Sequence, residues 1–219
     1  MSRFKTILVN KSAFAANDNL AREIRKENKE KGITLVNLMA SPGAGKTTLL
    51  LRTASEISPD IKVGVMEADI DYNIDAEKMD AAGIRTIQVH TGGECAVTAN
   101  MVRQALDEFN TEGLDLVFLE NVGNLVCPAE EDTGADLNVA ILSVPEGDDK
   151  PLKYPLMFQV CHAVIINKID TKGFFKFDEE KVVNRIHNCN PESKIFFLSG
   201  KTGEGFKEWI NWIEEKIRG

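Results

Sequence analysis

Seven short runs rich in apolar and β-branched residues recur along the chain: ITLVNLM (33–39), IKVGVME (61–67), RTIQVH (85–90), LDLVFLE (114–120), NVAILSV (138–144), AVIINK (163–168) and KIFFLS (194–199). Between them the apolar positions take a helical period, which predicts helices near 45–57, 74–82, 95–110, 152–160, 178–188 and 203–218. Such alternation reads as an α/β fold, a mostly parallel seven-stranded sheet with helices on both faces. Ahead of the first run, NDNLAREIRKENKEKG reads as a charged helix, with Asn17 or Asp18 near its N-cap and Gly32 closing it. It is expected as an N-terminal extension, residues 1–32, on a single domain spanning 33–219. No internal repeat and no Pro, Gly or Ser-rich linker marks a further boundary.

With 219 residues the chain can bury a substantial core. Charged residues make up 27% and hydrophobic ones 43%, a balance far from that of disordered chains. A net charge of −8 argues against a nucleic-acid surface. No apolar run approaches the width of a bilayer, and MSRFKTILVNKSAF has no leader-like apolar segment, so no membrane partner and a cytoplasmic location are expected. In that compartment Cys95, Cys127, Cys161 and Cys189 are expected as thiols or ligands rather than disulfides.

The first run leads directly into ASPGAGKTT. A Gly-rich loop that opens a helix presents its backbone N–H groups to an anion. Ser41, Pro42, Gly43, Ala44, Gly45, Lys46, Thr47 and Thr48 therefore form the predicted phosphate loop of a P-loop NTPase. Lys46 would reach the β and γ phosphates, and the Thr47 hydroxyl suits Mg²⁺. Ala40 occupies the first motif position, where glycine is usual; a small side chain is tolerated there if φ is negative.

Two later segments point to the base. Asn167, Lys168 and Asp170 of NKID follow the pattern NKxD, in which a carboxylate accepts from guanine N1–H and the 2-amino group; adenine would leave that charge unmet. Lys168 can lay its stem along the base, and Asn167 can tie two loops together. Ser199, Gly200 and Lys201 of SGKTG follow the next strand and resemble the SAKTG loop that completes a guanine pocket. GTP and GDP are the expected ligands.

The second run passes into ADIDYNIDAEKM, where Asp69 is the expected Mg²⁺ contact with Asp71 and Asp75 behind it. After the fourth run, Glu120 stands where P-loop proteins carry a Mg²⁺-linked carboxylate, and the Gly123 amide could face the γ-phosphate. Segments of this kind order around the terminal phosphate. Cys95, in TGGECAVTAN, is expected at a helix N-terminus, where the dipole favours the thiolate. Cys127 lies in the second switch segment. Two soft ligands on loops that can converge make half of a four-sulfur site, completed if a second protomer supplies the rest. Cys161 with His162, and Cys189 with His187, are expected in core, turn or loop roles. His90 and Glu94 are weaker metal substitutes. Lys150 and Lys153 are candidates for contacts across a dimer or to phosphate.

The motifs ENVGNLVCPA and EGDDKPLKYP, with SPGAGKTTLL, EADIDYNIDAEKM, HTGGEC and INKID, resemble the hydrogenase nickel-incorporation GTPases, the HypB type, related to the urease accessory GTPases. The resemblance covers nearly the whole chain. It implies a SIMIBI-class P-loop fold, GTP hydrolysis, a nucleotide-linked homodimer and a Ni²⁺ or Zn²⁺ site at the dimer interface. By the same resemblance, the partners are a nickel-binding accessory protein of HypA type and the large subunit of [NiFe]-hydrogenase. The family usually places a ligand histidine after the turn cysteine, whereas this chain has Ala96. That difference shifts the expected ligand set to Cys95 and Cys127 from each of two subunits. No glutamine follows Gly123 to orient water, so slow turnover is expected. The alternative function is a regulatory or scaffold GTPase in metalloenzyme maturation, without metal transfer of its own.

Overall fold

The computed structural model describes residues 11–69 and 74–218, the side chains of 11–14, 69 and 74–76 excepted. Seven strands form one sheet: β1 Thr34–Ala40, β2 Val63–Asp69, β3 Arg85–His90, β4 Leu116–Glu120, β5 Leu137–Ser143, β6 Ala163–Asn167 and β7 Lys194–Phe197. Their spatial order is β3-β2-β4-β1-β5-β6-β7, and every pairing is parallel. A parallel sheet needs a crossover between strands, and the predicted helices supply it. They are α2 Lys46–Glu56, α3 Ile74–Ala81, α4 Ala99–Glu108, the short α5 Cys127–Glu130, α6 Lys150–Lys153 and α7 Pro155–Gln159, then α8 Glu179–Cys189 and α9 Phe206–Arg218. Because all strands run the same way, the segments that follow Ala40, His90, Glu120 and Asn167 gather at one edge of the sheet. Here β4 and β5 flank β1, which makes this edge the crevice where open α/β sheets bind ligands.

Side-chain alternation along β1 divides the core. Val36, Leu38 and Ala40 face α2 and α9, joining Phe118, Ile141, Phe206, Trp209 and Ile213 in one buried cluster. Burying each such large apolar side chain stabilises by about 1.5–3 kcal/mol. On the opposite face Leu35 joins Met66, Val102 and Leu119 under α4 and the N-terminal helix, whereas Met39 joins Leu142, Phe158 and Ile166 under α7 and α8. Between these two clusters runs a polar seam. Asn121 Nδ2 donates to Asn37 Oδ1 at 3.0 Å, and Asn37 Nδ2 donates to Asn138 Oδ1 at 3.1 Å. Asn37 and Asn121 are buried, so those bonds offset a desolvation cost that either amide would otherwise bear alone.

The N-terminal helix, α1 Lys11–Lys31, begins before the expected cap, and Asn17 lies inside it. Its side chain serves another helix: Asn17 Oδ1 accepts from Ala99 N at 2.9 Å, satisfying the first free amide of α4. Ala21 and Ile24 of α1 are fully buried, and Arg103 forks onto Glu27 at 2.6 and 2.9 Å. The helix thus packs against α4 and one face of the sheet. The single helix expected over 152–160 is split into α6 and α7, since Pro155 has no N–H to offer and holds Tyr154 out of helical geometry.

Candidate nucleotide and metal site

β1 ends at Ala40, which is fully buried and outside the positive-φ set, so the first motif position takes a methyl group without strain. Gly43 and Gly45 adopt left-handed backbone, with φ of 75° and 100°. Gly45 caps α2, and a Cβ there would stand 2.6 Å from Asn167 Nδ2. Only glycine meets both demands. From the first turn of α2, Lys46 Nζ lies 4.0 Å from Glu120 Oε1, and Thr47 Oγ1 donates to the same oxygen at 3.4 Å. Glu120, at the end of β4, is only 5% exposed. A hydroxyl and a carboxylate at the mouth of an anion cradle form a hard-oxygen donor set that fits Mg²⁺ with phosphate oxygens completing the shell. Gly123 closes this end: a Cβ on it would lie 3.0 Å from Pro42 Cγ and 3.2 Å from Pro42 N, so its backbone abuts the phosphate loop. The side chains of Asp69 and Asp75, and Asp71 altogether, lie outside the described residues.

On the other side of the loop, Asn167 joins three segments. Its Nδ2 donates to Ala44 O at 2.9 Å, while its Oδ1 accepts from Lys168 N at 2.7 Å and Gly200 N at 3.1 Å. Lys168 is the one non-glycine with positive φ among the described residues, and its Nζ donates to Gly43 O at 2.6 Å. That backbone cost, at a position flanked by functional groups, is offset by these bonds. Asp170 Oδ1 accepts from Ser199 Oγ at 2.6 Å, which aims the carboxylate and leaves its second oxygen for a ligand. Gly200 in place of alanine reflects no crowding, because a Cβ there would make an ordinary 3.4 Å contact with Thr48 Cγ2. Lys201 is exposed, and its carbonyl accepts from Arg52 Nη2 at 3.0 Å.

The cysteines correct two expectations. Cys95 does not open a helix: α4 starts at Ala99, with Thr98 as N-cap, and Cys95 lies in the exposed bend before it. The dipole argument therefore fails for Cys95, and Thr98 and Asn17 serve that helix end instead. Nor are all four cysteines thiols, since Cys95 and Cys127 are joined as a disulfide, their Cα atoms 6.0 Å apart. The reason is chain path. The segment after β3 crosses the sheet edge, and Val97 N donates to Asn121 Oδ1 at 3.2 Å, which brings it onto the segment after β4. Ala96, at the position where the resemblance implies a histidine, is buried. Among the described residues no three His, Cys, Asp or Glu side chains gather as a metal cage. His90 and Glu94 are exposed and take no part.

Cys161 and His162 go separate ways. Cys161 is fully buried, bonded to Met157 O at 2.9 Å, and burial pushes its thiol far up. His162 Nδ1 accepts from Asn138 N at 3.0 Å, and burial holds the imidazole below its usual range. Both lie at the sheet edge opposite the nucleotide loop. Cys189, its thiol raised by burial, sits 3.7 Å from Pro151 O, and His187 is exposed. Lys153 pairs with Asp149 at 2.5 Å and Lys150 lies over the Tyr154 ring.

Two residues of the site were not singled out by sequence reasoning. Arg52, on α2, donates to Gly200 O at 2.7 Å and Lys201 O at 3.0 Å, fastening the base loop to the phosphate helix. Asn124 Nδ2 donates to Cys127 Sγ at 3.2 Å and Cys95 O at 3.4 Å. Locally Arg52 reads only as an ion-pair partner of Glu56, because the carbonyls it fastens lie 148 and 149 positions away. Asn124 does: an asparagine two residues before a free N–H is a turn former.

Residues 34–197 match the family model described as CobW/HypB/UreG, nucleotide-binding domain. The hydrogenase maturation factor HypB of Azotobacter chroococcum is 40% identical over 218 residues, 99% of this chain and 71% of that protein. The crystal structure of HypB from Helicobacter pylori in complex with nickel aligns with a TM-score of 0.88 at 40% identity, covering 93% of this chain and 95% of that one. HypB from Archaeoglobus fulgidus aligns at 0.86 and 37%, covering 93% and 99%. With a P-loop running from the central strand, a closed guanine-type loop pair and this likeness over almost its full length, the chain belongs to the HypB hydrogenase maturation factors of the CobW/HypB/UreG nucleotide-binding family.

Proposed function

We propose that the protein is a GTP-hydrolysing metallochaperone that takes Ni²⁺ or Zn²⁺ on Cys95 and Cys127 at a dimer interface and assists nickel insertion into [NiFe]-hydrogenase. The observation that carries this reading is the proximity of Cys95 and Cys127, with Cys127 on the same short segment that presents Glu120 and Gly123 to the phosphate loop. Asp170 and the loop at Ser199 select guanine. The backbone N–H groups of Gly43–Thr48 and the Lys46 side chain cradle the phosphates, while Thr47 and Glu120, with Asp69, would hold Mg²⁺. That ion would neutralise charge on the phosphate oxygens. Catalysis rests on positioning and on charge stabilisation by Lys46 and the loop amides, with the Gly123 N–H directed to the γ-phosphate. Without a residue to orient water, turnover is slow.

A dithiol reductant must first give the Cys95–Cys127 disulfide two electrons and two protons, becoming a disulfide itself as two thiols form; loss of their protons then gives the thiolate ligands. Two sulfurs fill half of a four-coordinate shell, and a second protomer would complete it. Nickel bound by the Helicobacter pylori relative supports cargo of this kind. A nickel-binding accessory protein of HypA type and the hydrogenase large subunit are the expected partners, and the protein works in the cytoplasm. The test is an equilibrium nickel titration of the reduced protein beside Cys95→Ala and Cys127→Ala. Half a nickel ion per chain, lost in either variant, is expected. Nickel binding indifferent to both substitutions would leave a scaffold GTPase.

A further inference from the structure

We propose that Asn124 is a positioning residue for the cysteine pair and the link through which nucleotide state reaches it; this rests on the metal-binding reading above. One amide spans the whole arrangement. Its Nδ2 reaches Cys127 Sγ at 3.2 Å and the Cys95 carbonyl at 3.4 Å, so a single side chain holds both cysteine-bearing segments together. Its Oδ1 accepts from Val126 N at 2.8 Å, which shapes the turn that delivers Cys127. One residue earlier, the Gly123 backbone lies close to Pro42 of the phosphate loop, where an added Cβ would stand 3.0 Å from Pro42 Cγ. A γ-phosphate drawn toward the Gly123 N–H therefore displaces a peptide unit rigidly followed by Asn124, and with it the distance and orientation between the two sulfurs.

The chemistry requires asparagine. An N–H directed at a thiolate draws charge from the sulfur and fixes which lone pair points to a metal, the role outer-shell groups play at metal sites. Aspartate has the same shape and keeps the bond from Val126 N, but it offers no donor and sets a like charge beside the sulfur. Serine can also accept from Val126 N, as a turn-forming hydroxyl, but is too short to span to Cys127. These two substitutions separate turn building from sulfur positioning.

The experiment uses the full, reduced chain with Ni²⁺ alone as probe, titrated in the GDP-bound state and with a non-hydrolysable GTP analogue. Wild type is compared with Asn124→Asp and Asn124→Ser. Affinity is read together with the sulfur-to-nickel charge-transfer absorption, and GDP affinity and Tm report on the fold. Losses of about 10-fold for serine and up to about 100-fold for aspartate are expected, the usual range for outer-shell groups. The charge-transfer band should shift, and the nickel affinities in the two nucleotide states should become equal. If aspartate prevents folding, the serine variant gives the same reading on its own. Wild-type nickel affinity and an intact nucleotide effect in the folded variants would overturn the proposal while leaving the metallochaperone reading in place. Absence of Cys95-dependent nickel binding in the wild type would overturn both.

Discussion

The two sides of the phosphate loop are built to different standards of rigidity. On the base side, Asn167, Lys168, Ser199 and Arg52 close a net of hydrogen bonds among four segments, including backbone groups of the phosphate loop itself. On the cysteine side, Gly123 meets Pro42 through van der Waals contact, and the two cysteine segments are joined by Asn124, one bond from Val97 to Asn121 and the disulfide. A base need only be recognised, so its pocket can be fixed in advance. A segment that must report whether a terminal phosphate is present needs freedom to move. The contrast fits the proposed coupling, in which one loop holds a nucleotide firmly and its state reaches the pair of sulfurs.

The largest effect should come from breaking the fixed side at its centre. Asn167→Ala removes three hydrogen bonds at about 1 kcal/mol each. A loss near 3 kcal/mol corresponds to roughly 100-fold weaker GDP binding, measurable with a fluorescent nucleotide. Nickel affinity of the nucleotide-free reduced protein should change by less than about 2-fold, since Cys95 and Cys127 share no bond with Asn167. Asp170→Ala should weaken GTP by about 10–100-fold, the range for bonds to a charged acceptor, while ATP binding, read by competition, stays as weak as before. Arg52→Ala should lower GTP affinity by about 10-fold by freeing the loop at Gly200 and Lys201. An equal fall in nickel affinity would show that the two sides are not independent.

The smallest effect belongs to His162, at the far edge of the sheet. Its folded pKa lies below the ordinary value because burial penalises the imidazolium, and the bond that Nδ1 accepts from Asn138 N needs that nitrogen unprotonated. The unfolded chain therefore binds the proton more readily. The stability held by neutral His162 is fully present above about pH 6.5 and is lost as pH falls through the lower folded value. Urea titrations across pH 7 to 5 should show this decline, and His162→Gln should flatten it without altering nickel or nucleotide binding.

How much was legible in the sequence follows from the range of each interaction. All seven strands were, because each is a local apolar run, and the phosphate loop was, because its chemistry sits within nine residues. The start of α4 was not. Gly92, Gly93 and Cys95 look like a turn entering a helix, yet the cap is Thr98, and its neighbour Ala99 is satisfied by Asn17 from α1, 82 positions away. The role of α1 was hidden likewise, since its charged stripe reads as an appendage while Ala21 and Ile24 are buried beneath it. The pairing of Cys95 with Cys127 depends on the path from β3 across the sheet edge, which no pattern within either segment encodes. Redox compartment pointed to thiols, but geometry placed the two sulfurs within reach of each other.

The central claim is that nucleotide state and metal affinity are coupled through the segment from Glu120 to Cys127. Its most direct test is the nickel dissociation constant of the reduced wild-type protein measured twice, once with GDP and once with a non-hydrolysable GTP analogue. The account predicts constants that differ by about 5-fold or more, the usual scale of coupling between two sites, with the difference abolished in Cys127→Ala. Equal constants in the two states would contradict it.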